Sequence, residues 1–184
     1  MWVVSGDNSS NLPITEPHSY GFISDPLIWG WASWRRAWEH HDRNMADWKT
    51  YRRSREFRLL VPDRVERARR RYFFDTKPVS TWDYQWVYTV LKNRGLAAVP
   101  RVNLVSNIGF NHPDAHHTFG PSPQANAETF GIFPIVHPSM VEKDPATQFD
   151  YVERKLGVRK RRPGYQLKKW FRQRVRSLRS KFPA

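Results

Sequence analysis

Apolar and polar positions recur along this chain with periods that mark its elements. WVVS, at positions 2–5, is short, apolar and β-branched, which predicts a strand. The polar GDNSSNLP after it predicts a loop. Tyr20 to Trp31 predicts an extended segment that places Trp29 and Trp31 on one face, because strand side chains alternate. Ser33 stands where it can cap a helix opening at Trp34. On that helix Trp34, Ala37, Trp38 and His41 recur at i, i+3, i+4 and i+7, so they share one side. Trp34 and Trp38 are therefore expected in the core.

Residues 63–74, DRVERARRRYFF, predict a charged surface helix capped by Asp63, with Val65, Ala68, Tyr72 and Phe73 facing inward. A further helix opens at STWD, 80–83, and runs to about Asn93, with Gly95 as the expected C′ residue. LAAVP and VNLVSNIGF predict two more strands, the second ended by Gly109. From Asn111 to Asp150, Pro, His, Ser and Asn dominate, which predicts a long loop. Strands at both ends of a run of helices predict an α/β fold with a mixed sheet and flanking helices. The strands are too few for a complete doubly wound domain.

At the C-terminus the pattern changes again. Leu167, Trp170, Phe171, Val175, Leu178 and Phe182 recur at helical spacing, with Lys and Arg on the opposite side. A basic amphipathic helix of this kind suits an anionic membrane surface, through residues 163–184. A helix packed on further polypeptide, or a solvated tail, is the alternative. The formal net charge is +14, yet residues 154–184 alone carry 13 Lys or Arg and no acid. The rest holds 18 basic and 17 acidic residues and is nearly neutral. That distribution disfavours nucleic acid as a partner, which calls for basic residues across the folded body.

The chain's 184 residues suffice for one domain with a core. The absence of cysteine excludes disulfides and thiolate zinc sites and fits a reducing compartment. MWVVSGDNSS has no basic leader and does not read as a signal peptide. No apolar run approaches the ~18–20 residues of a membrane span.

Three constellations carry candidate chemistry. In TWDYQW, 81–86, Asp83 lies between Trp82 and Tyr84, where aromatic neighbours would partly desolvate a carboxylate and make it a better general base. Ser80-x-x-Asp83 also reads as a capping-box pattern, in which Asp83 only favours the helix N-terminus. HPDAHHT, 112–118, offers His112, Asp114, His116 and His117 as metal-competent side chains, without the spacing of a compact zinc motif. A polar surface loop is the alternative for His112 and His116. IWGWASWRRAW, 28–38, offers indole faces of the kind that pack against sugar rings, and Gly30 leaves room for a ligand to approach the backbone. Walker A, HExxH, GxSxG and Rossmann patterns are absent, as is Asp-x-Asp.

The series IWGWASWRRAW, TWDYQW and VPRVNLVSNIGFNHPDAHHT resembles the C-terminal, acceptor-side half of bacterial glycosyltransferases of the GT-A fold, over roughly residues 3–140. These are family 2-like or hemolytic-protein-like nucleotide-diphospho-sugar transferases, and N-acetylglucosaminyltransferase I is similar more distantly. The resemblance implies inverting sugar transfer from a nucleotide-diphosphate-sugar donor to a hydroxyl of a glycan or envelope acceptor, with Asp83 as general base. It implies substrate contacts from Trp29, Gly30, Trp31, Trp82, Ser106 and Asn107. His117 is implied as a further substrate contact that touches the metal or diphosphate in some relatives. It also implies a divalent cation, Mn or Mg, held mostly by residues outside this chain. The nucleotide-binding half with its Asp-x-Asp is missing, so this chain reads as a fragment, inactive alone, and a separate chain carrying that half is an expected partner. The expected organisation is a partial transferase domain over 1–118, a Pro-rich segment over 119–153 and a basic tail over 154–184. The expected location is the cytoplasm, peripheral on the inner membrane face. The alternative function is a non-catalytic carbohydrate- or partner-binding module.

Overall fold

The computed structural model describes residues 1–76, 81–110, 112 and 125–170. Four strands form one mixed sheet: β1 (Val3–Ser5), β2 (Tyr20–Ile23), β3 (Trp31–Ser33) and β4 (Ala97–Pro100), in the order β2-β4-β1-β3. β1 runs parallel to β4, while β3 and β2 are the antiparallel edges. Helices α1 (Arg35–Trp38), α2 (Trp48–Tyr51), α3 (Arg55–Leu60), α4 (Arg64–Thr76) and α5 (Asp83–Lys92) fall between β3 and β4. A further helix, α6 (Pro145–Asp150), leads into a π-type turn over Tyr151–Lys155. The predicted α/β class with a mixed sheet and flanking helices is the observed one.

Alternation divides the sheet into two unlike faces. Val3, Ile23, Ala97 and Val99 join Trp86 and Val90 of α5 in the main core, together with Tyr151, Val152, Leu156 and Val158. On the opposite face Phe22 and Ala98 are buried, but Val4 is 40% exposed and its register partner Ala32 is also open. β1 pairs in parallel with β4, and parallel pairs are normally covered on both faces, so Val4 marks a part of the sheet left uncovered among the described residues, while the antiparallel edge β3 can face water. A second core gathers Trp48, Tyr51, Phe57, Phe74 and Tyr88 beneath α4 and α5.

Several local expectations are corrected. Ser33 ends β3 and donates its hydroxyl to the Trp2 carbonyl, 2.9 Å away; the N-cap of α1 is Trp34, with no side-chain bond. Because α1 spans only four residues, it buries Ala37 alone, and Trp34 and Trp38 remain exposed. On α4 the Asp63 cap is present, its carboxylate accepting the Glu66 amide at 2.8 Å. Val65 and Phe73 pack on the main core, but the buried positions are Arg70 and Phe74, and Ala68 and Tyr72 face outward.

At the end of α5 the left-handed C′ residue is Arg94 (φ +53), not Gly95. Gly95 stands one place later and donates to Val90 O at 2.8 Å, while Arg94 donates to Leu91 O, the paired bonds of a Schellman motif. Gly95 is needed for another reason: a Cβ there would meet the Trp2 ring at 2.8 Å. VNLVSNIGF is not a strand. Buried Asn103 replaces a ladder with side-chain bonds, accepting from Asn8 N and donating to the Val105 and Glu128 carbonyls. The predicted long loop contains α6, whose N-cap Asp144 accepts from the Ala146 and Thr147 amides, with Pro145 opening the helix. The packed body also continues past residue 153, since Leu156 and Val158 are core.

Candidate functional site

A cleft of about 340 Å³ opens between the end of β1, the β2–β3 connection, α4, α5 and the turn after α6. Its wall includes Asp7, Trp29, Asp83, Tyr84, Tyr151 and Lys155, and the buried pair Asp25 and Arg70 also lines it. Each arrives by a different route. β1 ends at Ser5 and delivers Asp7 two residues later; β2 ends at Ile23 and delivers Asp25 likewise. Asp83 begins α5, and Lys155 ends the π-type turn.

Arg70 donates to both oxygens of Asp25, at 2.6 and 2.8 Å, and its Nε donates to Glu66 at 2.8 Å. Desolvation would lower the Arg70 pKa, but the Asp25 and Glu66 carboxylates outweigh it and raise it further above its ordinary value. Gln148 adds a bond to Asp25 at 3.1 Å, so this pair is fully engaged as a structural floor. Lys155 differs. It is an exposed residue whose ammonium donates to Ser10 Oγ at 2.7 Å, and crowding by protein at that end lowers its pKa against the pull of Asp7. Asp7 is buried and accepts the Ser9 amide at 2.8 Å. Burial, then the Asp83 carboxylate, push the Tyr84 phenol up.

Asp83 is half-buried at the first turn of α5, and its carboxylate is hydrogen-bonded to Thr81 Oγ1. The capping-box partner Ser80 lies outside the described residues. Asp83 and Trp29 line the same cleft.

The other predicted contacts divide. Trp29 and Trp31 do not lie on one strand face: Gly30 adopts φ +55, turning the chain between them. Trp29 goes to the cleft and meets Phe110 edge-on at 6.0 Å. Trp31 stacks on Trp82 at 5.3 Å and touches Trp38 and Trp86 at 5.8 and 6.0 Å. Gly30 is not an opening for a ligand, because Val105 occupies that space; a Cβ at Gly30 would lie 2.3 Å from Val105 Cγ1. Ser106 is exposed and Asn107 uses its side-chain oxygen on the Gly109 amide at 2.9 Å; neither lines the cleft. His112 is exposed, and Asp114, His116, His117 and Thr118 lie outside the described residues.

Trp31, Trp34 and Trp38 line a separate open depression together with Arg35 and Glu39. Among the described residues no group of three His, Asp or Glu side chains is placed to hold a metal ion. Also among the described residues, no helix is long and apolar enough to cross a membrane.

Sequence reasoning missed Asp7, Asp25, Tyr151 and Lys155. A signal existed for the first two, since VVSGD and FISD each place a carboxylate just past a short apolar strand. Lys155 carries no such signal within a basic segment. No family model matches this chain, and no curated protein or solved structure was found to match it.

Proposed function

We propose that the cleft is the acceptor side of a glycosyl-transfer site. The observation that carries this is the convergence of Asp83 and Trp29 on one concave wall. A sugar ring packs its C–H face on the indole, and its hydroxyl reaches the carboxylate. Asp83 takes the proton as the acceptor oxygen bonds to C1 of the nucleotide-sugar. The bond from C1 to the diphosphate oxygen breaks on the opposite side, its electron pair leaves with the diphosphate, and the configuration inverts. Orienting the reactants contributes up to about 7–11 kcal/mol to such a step. The open face at Val4 supports the reading that further polypeptide, bearing the nucleotide site, completes the domain.

The test is transfer by this chain combined with a nucleotide-binding half. Asp83→Asn should lower the rate by roughly 10²–10⁴-fold, the range for general base catalysis. Near-normal transfer by that variant removes the base assignment.

A second reading, a non-catalytic carbohydrate-binding module, is favoured by one observation: the indoles of Trp34, Trp38 and Trp82 are exposed beside Trp31. Glycan binding without turnover of nucleotide-sugar in the presence of manganese, in the same combined preparation, would select it.

A further inference from the structure

The first part of the basic C-terminal segment, residues 154–162, is tied to the body. Tyr151, Val152, Leu156 and Val158 belong to the main core. Just beyond them Arg162 closes a three-way ion cluster. Its Nε donates to both oxygens of Glu153, at 2.8 and 3.1 Å, its Nη2 also bonds Glu153, and its Nη1 donates to Asp63 at 2.9 Å. Glu153 is buried, and Asp63 is the cap of α4, so the root of the segment is tied to two elements of the fold.

Past that clamp the chemistry faces outward. Residues 163–170 are helical, and Leu167 and Trp170, three apart on one side, are 57% and 48% exposed. Lys168 and Lys169 flank them, and Arg159, Lys160 and Arg161 form an exposed 3₁₀ turn before them. The sequence beyond keeps both features, with more aromatic and aliphatic positions and no acid to the end. A nucleic acid would engage the cations and could stack bases on Trp170, but would leave Leu167 in water. An anionic lipid surface engages both, drawing the cations to its headgroups and the apolar side chains to the acyl boundary.

We propose that residues 159–170 dock the protein on an anionic membrane surface. Pro163 at the helix start lies eight positions after Lys155 in the cleft, at most about 28 Å of extended chain. Docking therefore holds the cleft near the lipid headgroups. It follows, resting on the transfer reading, that the acceptor is carried at the membrane rather than free in solution.

The experiment is sedimentation of the full chain with large vesicles of phosphatidylcholine alone or mixed with phosphatidylglycerol, without sugar substrates. Its result is thus independent of any transfer activity. Binding is expected only to the mixed vesicles and should weaken as salt rises. Lys168→Gln with Lys169→Gln should weaken it about 30-fold, roughly fivefold for each charge. Leu167→Ser with Trp170→Ser should weaken it at least about tenfold while all charges remain. Thermal melts of both double variants should match the parent, since these side chains lie outside the core. Equal binding to both vesicle types, no binding, or retention of RNA without retention of vesicles overturns the proposal.

Discussion

Arg70 and Asp25, 45 residues apart, form a two-pronged ion pair at the floor of the cleft, with side chains only 2% and 0% exposed. Removing one partner leaves the other charged and buried. Arg70→Met should therefore lower unfolding free energy by about 3–5 kcal/mol, read from urea denaturation. Adding Asp25→Leu should recover much of that loss. If the double variant is no more stable than Arg70→Met, the stranded charge is not the cause.

Gly30 is confined by both conformation and space. Ala at φ +55 costs about 1–2 kcal/mol, and the clash with Val105 adds about 1–3 kcal/mol. Gly30→Ala should thus destabilise by at least about 2 kcal/mol. Val105→Ala in the same chain should remove the steric share and not the conformational one, a coupling that a double-mutant cycle measures.

Asp144 links α6 to pH. Burial alone would raise its pKa, but the Thr147 amide and Thr15 hydroxyl hold it below the ordinary 3.8. A depressed folded-state value means the stabilisation is complete above about pH 4 and disappears as pH falls through the folded pKa. Asp144→Ala should cost about 1 kcal/mol at neutral pH, as expected for a lost cap. The difference between variant and parent should shrink on acidification, and a gap that stays constant to pH ~2 contradicts the linkage.

The two indoles flanking Gly30 should separate stability from binding. Trp31 lies against Trp82, Trp38 and Trp86, and such ring pairs contribute about 0.5–1.5 kcal/mol each beyond burial. Trp31→Ala should lower the melting temperature markedly. Trp29→Ala should lower glycan affinity in the combined enzyme with a smaller loss of stability, since its one ring contact is Phe110 among the described residues.

Asp83→Asn should leave stability within about 1 kcal/mol of the parent, the scale of a carboxylate at a helix N-terminus. Paired with the transfer assay, that separates a chemical role from a capping role. A large stability loss would favour the cap.

Local chemistry determined much of this protein directly from its sequence. VVS and AAVP pair as strands because short apolar runs of this kind suit a buried sheet. Residues 83–92 are helical because their apolar positions recur at the helical period, and Asp63 caps because its carboxylate reaches an amide three residues away. The segregation of charge at the C-terminus is a property of the sequence alone. Tertiary structure decided the rest. Whether Trp38 is buried depends on how long α1 runs and what packs beside it, not on its spacing. Gly30 serves Val105, Arg70 serves Asp25, and Lys155 reaches the cleft only because the chain after α6 folds back into the core. Those partners are dozens of residues apart, and periodicity and capping act over a few residues only. Their contacts exist because burial brings the segments together.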